Sequence, residues 1–328
     1  MDGFRVPVGD WIDTGVDWLR DNLSGLFDII SIVVRFLVDG LTDVLIAVPV
    51  PLAIVVFALL GWFFRSWQMA IGTAATFTLI VAMNLWVPAM QTLSLVLVAT
   101  VVALLIGIPL GIWSARNDTV RAILKPILDF MQTMPAFVYL IPAITFFSIG
   151  VVPGVVATVI FALPPGVRLT ELGIRGVDSE TVEAGHAFGA KPGQILRGIQ
   201  LPLAMPTIMA GVNQVIMLAL SMAVLAGIVG ADGLGKIVVQ SVSTVNLSLG
   251  VEAGLGVVIL AVFLDRVTAS LGNPADYPRS LRAKLGRGRA MRGSGGPAVT
   301  ESADASAEAE REVASPRRAP VGGGGGAL

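Results

Sequence analysis

The sequence predicts an all-α, polytopic membrane protein of about seven transmembrane helices, and two observations carry that expectation. No Asp, Glu, Lys or Arg stands between Arg65 and Arg116, between Asp129 and Arg168, or between Arg197 and Asp232. Each gap exceeds the roughly 20 apolar residues that a helix needs to cross a bilayer. The chain is also 55% hydrophobic and only 14% charged, where soluble domains carry about 25% charged residues. With no cysteine, a disulfide or a thiolate metal site is excluded.

Taken in chain order, residues 1–45 form an acidic amphipathic segment. Trp11, Ile12, Val16, Trp18 and Leu19 can share one helical face while Asp13, Asp17 and Asp21 line another. Residues 10–44 read as an amphipathic helix pair. Asp28, Arg35, Asp39 and Asp43 interrupt the apolar run at 26–47. A charge at the bilayer centre costs about 2.5–3.5 kcal/mol on insertion scales, so an interfacial, extracytoplasmic position suits the pattern. An eighth span is the alternative. The extreme N-terminus lacks the basic start, apolar run and cleavage site of a signal peptide, so the spans are expected to direct insertion.

Two peripheral spans follow within 46–90, at about 46–64 and 69–87. A core over 91–270 adds five more, at about 92–114, 133–149, 152–168, 204–229 and 247–265. Gly150, Pro153 and Gly154 part the fourth span from the fifth. The connections carrying Arg116, Arg121 and Lys125, and Arg168, Arg175, Lys191 and Arg197, fall on one side with Arg65 and the C-terminus. Basic residues mark the cytoplasmic side, so the N-terminus is expected outside. Residues 271–328 start basic and become rich in Gly, Ala, Ser, Glu and Pro. That composition cannot offset its ordering entropy, and the expectation is a disordered cytoplasmic tail. Its basic part reads as a topology-fixing flank that can also touch anionic membrane lipid.

The longest polar connection, 169–203, carries the functional signal. Asp178 or Ser179 can cap a short helix with Glu180 in its first turn. Gly189 can end that helix in the left-handed conformation, and Pro192 suits the first turn of the next. The product is a short helix across the membrane face, shaped to be gripped by a partner.

Glu183-Ala184-Gly185, then Gly189, then Ile199-Gln200-Leu201-Pro202 resembles the EAA loop of ABC-importer permeases, E-A-A-x3-G-x9-I-x-L-P, with Gly185 in place of the usual Ala. An Ala-to-Gly change costs up to about 1 kcal/mol of helix propensity. Asp129-Phe-Met-Gln-Thr-Met-Pro-Ala-Phe-Val-Tyr-Leu-Ile-Pro142, Phe161-Ala-Leu-Pro-Pro165 and the run from Gln200 to Gln214 are similar to the glycine betaine/proline betaine subfamily. The similarity covers roughly 45–270. It implies the type I ABC importer permease fold and a permease homodimer. It also implies two further partners, an ABC ATPase subunit and an extracytoplasmic substrate-binding protein. By this resemblance the chain is not itself an enzyme, since ATP hydrolysis belongs to the partner. No cofactor and no nucleic acid is expected.

The same resemblance makes Glu183, Ala184, Gly185, Gly189, Ile199, Leu201 and Pro202 the ATPase-coupling loop. A helix-stabilising Glu near an N-terminus is an equal reading of Glu183. His186, the only histidine, reads as a surface residue. The transport path is expected between two copies. Its candidate lining is Gln132, Pro135, Phe137, Tyr139, Phe161, Asn213, Ser221 and Met222. The proline breaks suit backbone that lines a cavity, and the aromatic faces suit a quaternary ammonium. Helix-to-helix bonding is the competing reading of the polar members.

Two other patterns carry less. Gly230-Ala-Asp-Gly-Leu-Gly235-Lys236 begins like a phosphate loop, but Ile237 follows and no strand precedes it. Gly107 and Gly111 fit the small-x3-small contact pattern. A stand-alone carrier predicts intramembrane charges or inverted repeats, and an intramembrane enzyme needs clustered catalytic groups. The spans show no inverted repeat and no catalytic cluster, and Glu252 is the one charge between their end residues.

Overall fold

A computed structural model describes residues 8–272. They form twelve α-helices, three short 3-10 or π turns and, among the described residues, no strand. These are α1 (Val8–Ala47), α2 (Val50–Phe64), α3 (Trp67–Ala82), α4 (Trp86–Arg116), α5 (Asp118–Thr133) and α6 (Leu140–Phe147). The second half holds α7 (Val151–Arg175), α8 (Ser179–Ala187), α9 (Pro192–Ile195), α10 (Leu201–Ala226), α11 (Leu234–Ser243) and α12 (Leu247–Gly272). The basic and low-complexity segment expected over 271–328 lies, after Gly272, outside the described residues.

Four helical stretches are long and apolar enough to span: Trp86–Arg116, Val151–Arg175, Pro192–Val229 and Leu247–Gly272. Two bent pairs raise that count to six, α1 with α2 at 107° and α5 with the Ala136–Phe147 stretch at 104°. Trp67–Ala82 is apolar but short. The sequence predicts about seven transmembrane helices; among the described residues four to six are long and apolar enough. The fourth expected span, about 133–149, is broken. Met134 is extended (φ −72°, ψ 132°) because the ring of Pro135 disfavours helical backbone at the residue before it. A 3-10 turn over Ala136–Tyr139 then leads into the two turns of α6.

The centre is α7, packed between α4 and α10. Small residues make these approaches. A Cβ on Gly111 would lie 2.6 Å from both the Thr170 Cβ and the Val167 carbonyl oxygen, so the Gly107/Gly111 pattern is the α4–α7 contact. On the other flank, Gly154 meets Ala226 and Gly211 meets Leu169. Between helices in lipid, close van der Waals packing replaces the hydrophobic drive. Phe57 of α2, Phe77 of α3 and Phe263 of α12 bind the periphery to this core with centroids 4.8 to 5.5 Å apart.

One end of the bundle gathers the ends of α4 and α7 and the start of α10. At the other, Gly150 N–H donates to the Val229 carbonyl (2.9 Å) and Leu234 N–H to the Thr92 hydroxyl (2.8 Å). The connection expected at 230–246 folds back here as α11. Gly235 lies against the backbone of Ala223 and Val224, and Lys236 pairs with Asp232 at 2.7 Å. The spaced glycines of the apparent phosphate loop therefore serve helix packing.

α1 is two helical stretches meeting at Leu23 (φ −116°, ψ 17°). Its second half has three stripes. Phe27, Ile30, Val34, Val38, Leu41 and Leu45 pack on the core. Ile29, Ile32 and Phe36 are exposed on a second face, and Asp28, Arg35 and Asp39 are exposed on a third.

Candidate functional site

The polar loop after α7 folds by local rules. Asp178 accepts the Glu180 N–H at 3.1 Å, a side-chain cap on α8. At the other end Gly189 takes φ +79°. Its N–H donates to the His186 carbonyl at 2.9 Å, and Ala190 N–H to that of Gly185 at 3.1 Å. This paired closure is the Schellman motif, which favours glycine because other residues strain at positive φ. Lys191 N–H donates to the Gln194 side chain at 2.8 Å, and Pro192 opens α9.

What anchors the loop is apolar. Leu196 is buried with Ile174, Ala204 and Ile208, Leu201 packs against them, and Ile195 is buried beside Leu196 in sequence. α8 lies over this base. A Cβ on Gly185 would stand 2.8 Å from Ile199 Cδ1 and 3.4 Å from Ile195 Cγ1. Gly185 thus faces the loop's own interior. Ile199 and Leu201 are half-buried, and Pro202 sits in the first turn of α10.

Glu183, Ala184 and Gly189 are exposed. Among the described residues Glu183 makes no hydrogen bond or ion pair. Phe188, the residue before Gly189 and not among the predicted site residues, is 92% exposed. Its only sequence signal was an aromatic at the end of a polar helix. α8 therefore presents an acid, a small residue and a bare aromatic ring outward from an anchored base.

A charged cluster at the root of this loop was also missed. Glu171 accepts the Ser114 hydroxyl at 2.7 Å and the Arg121 Nε at 2.8 Å. Arg175 reaches the Ser114 carbonyl at 3.0 Å and Asp118 at 2.6 Å. Arg168 pairs with Asp129. Arg121, Asp129, Arg168, Glu171 and Arg175 line a cleft of about 310 Å³ between α5 and α7.

The candidate path residues divide. Tyr139, Phe161 and Met222 meet in one cluster beside Leu140, Ala143, Ala157 and Val229, with the two rings 6.1 Å apart. Tyr139 and Met222 are buried there. Pro135 and Phe137 flank Tyr139 in the break, and Phe137 is exposed. Gln132 is exposed on α5. Ser221 is exposed and donates to the Met217 carbonyl at 3.0 Å. Asn213 stands apart. It donates to Asp265 at 2.9 Å and accepts from Thr268 at 2.8 Å, tying α10 to α12.

The chain is similar to known proteins. The family model described as binding-protein-dependent transport system inner membrane component matches residues 107–272. The chain is 49% identical over 267 residues to the glycine betaine transport system permease protein OpuAB of Bacillus subtilis, covering 81% of this chain and 95% of that one. It is 46% identical to the glycine betaine/proline betaine transport system permease protein ProW of Escherichia coli, covering 81% and 75%. It is 47% identical to the glycine betaine/carnitine transport permease protein GbuB of Listeria monocytogenes, covering 82% and 97%. An inward-facing form of the MetNI methionine ABC transporter superposes with a TM-score of 0.54 at 23% identity, over 58% of this chain and 95% of that one. At that identity the likeness concerns the fold. Relatives and architecture agree: the chain belongs to the binding-protein-dependent transport system inner membrane component family, as a multi-pass permease of the ABC-importer type.

Proposed function

We propose that this permease carries glycine betaine, proline betaine and like quaternary-ammonium solutes across the membrane when driven by a separate ATPase subunit. The observation that carries this reading is α8, an exposed and doubly capped helix on a buried apolar base. Near-full-length relatives named for glycine betaine transport support the cargo. Glu183, Ala184 and Phe188 form the face that the ATPase grips. Gly185, Gly189, Ile199, Leu201 and Pro202 hold that face in place. An extracytoplasmic binding protein delivers the solute, and two permease copies enclose the path. The Tyr139–Phe161–Met222 cluster, with Pro135 and Phe137 beside it, lies on that path and parts when the halves rearrange. α1 lies along the outer membrane surface, with its Ile29/Ile32/Phe36 face in lipid and its aspartates in water.

The test is reconstitution of the permease with its ATPase and binding protein in liposomes. ATP-dependent uptake of labelled glycine betaine is expected, and Glu183→Arg abolishes it while the permease stays in the membrane. Full uptake by Glu183→Arg refutes the coupling role of that face. Uptake without nucleotide refutes the importer reading.

A further inference from the structure

We propose that Glu171 is the joint through which displacement of α8 reaches α5 and, through α5, the break at Met134–Pro135. The assignment rests on the ATPase-coupled reading of α8. Glu171 is one turn from the end of α7, and its side chain is only 15% exposed. It draws on three helices. From α4, the buried Ser114 donates its hydroxyl at 2.7 Å. From α5, Arg121 approaches at 2.8 Å. From its own helix, Arg175 lies at 3.7 Å. Arg175 ends α7 and also clasps Asp118 at the start of α5. Three residues beyond Arg175, Asp178 caps α8. Any force on α8 is therefore applied within a turn of this network.

Besides this network α5 is tied to α7 by the more exposed Arg168–Asp129 pair. Leu128 is its one buried side chain, and the charged cleft of about 310 Å³ lies between the two helices. Exposed ion pairs contribute little. A carboxylate shielded to this degree, with a buried hydroxyl and two guanidinium groups on it, differs, because removing one partner strands the others. α5 then runs unbroken to Thr133, turns by 104°, and delivers Tyr139 into the cluster with Met222. The chain from the ATPase-facing helix to the candidate gate is thus contiguous, and Glu171 is the most shielded of the charged groups along it. Glu171 touches neither solute nor ATPase, and its role is to position α5.

The test uses the whole complex, permease with ATPase and binding protein, in liposomes, and reads uptake and ATP hydrolysis together. Glu171→Gln keeps the shape and removes the charge. The joint predicts that uptake per ATP falls about tenfold, within the range of measured coupling energies, while assembly and hydrolysis persist. Ser114→Ala deletes one donor, leaves Glu171 in place, and should shift the same ratio in the same direction. It decides the matter if Glu171→Gln does not assemble. An unchanged ratio in the assembled variants, whether both rates fall together or neither falls, overturns the joint. A wild-type complex without ATP-driven uptake overturns the coupling reading beneath it, and the joint with it.

Discussion

The Tyr139 hydroxyl donates a 2.5 Å hydrogen bond to the Met131 carbonyl across the break at Met134–Pro135. The carbonyl belongs to the last turn of α5, where helical partners run out. One side chain thus satisfies the broken end of α5 and fills the cluster with Phe161 and Met222. Tyr139→Phe keeps the ring and leaves the carbonyl without that donor, at a cost of about 1 kcal/mol. Amide hydrogen exchange over 131–139 should rise, with little change elsewhere. Protection equal to wild type across the break means the bond does not brace it.

Phe188 should separate folding from assembly. At 92% exposed it contributes little to the fold, and Phe188→Ala should change permease stability by no more than about 0.5 kcal/mol. An aromatic anchor in a partner's pocket is worth about 2 kcal/mol or more, which is roughly thirtyfold in Kd. Titration of the variant with the purified ATPase subunit measures this. Wild-type affinity removes Phe188 from the docking face.

The caps of α8 give a graded series. Asp178→Ala loses the bond to Glu180 N–H, a cost of about 1 kcal/mol. Gly189→Val forces a β-branched residue to φ +79°, at about 1–2 kcal/mol. Gly185→Ala brings a methyl against the movable tip of Ile199 and gains helix propensity, so uptake should survive it. Uptake rates of the three variants should rank Gly185→Ala above Asp178→Ala above Gly189→Val. The reverse ranking contradicts the assigned geometry.

Asn213 should behave as a tie between helices. Asn213→Leu strips Asp265 of one partner and Thr268 of another, and should cost about 1 kcal/mol. Thermal unfolding in detergent should fall, while the apparent KM for solute in the reconstituted complex stays constant. A raised KM at unchanged stability returns Asn213 to the path.

The long spans were legible because a charge-free run admits few readings in lipid. The fold of the loop after α7 was legible because Asp178, Gly189 and Pro192 act on their immediate neighbours. α5 was missed as a helix for the opposite reason. Arg121, Lys125 and Asp129 look like a charged connection until α7 supplies Glu171 and Arg168 opposite them. Ser114 and Glu171 are 57 positions apart, and no local pattern announces such a pair. The inward turn of Gly185 likewise depends on Ile199 crossing beneath it, and the exposure of Phe188 on what its neighbours leave uncovered. Met134–Pro135 was visible as a break, but its 104° turn was not.

If the ATPase moves this permease through α8, the two subunits should be captured together at that helix. The chain has no cysteine, so Ala184→Cys creates a unique attachment point on the exposed face of α8. A short cross-linker placed there in the working complex should capture the ATPase subunit and stop uptake, and a reducible linker should restore uptake on cleavage. Capture of no ATPase by a complex that still pumps solute would remove α8 from the ATPase contact.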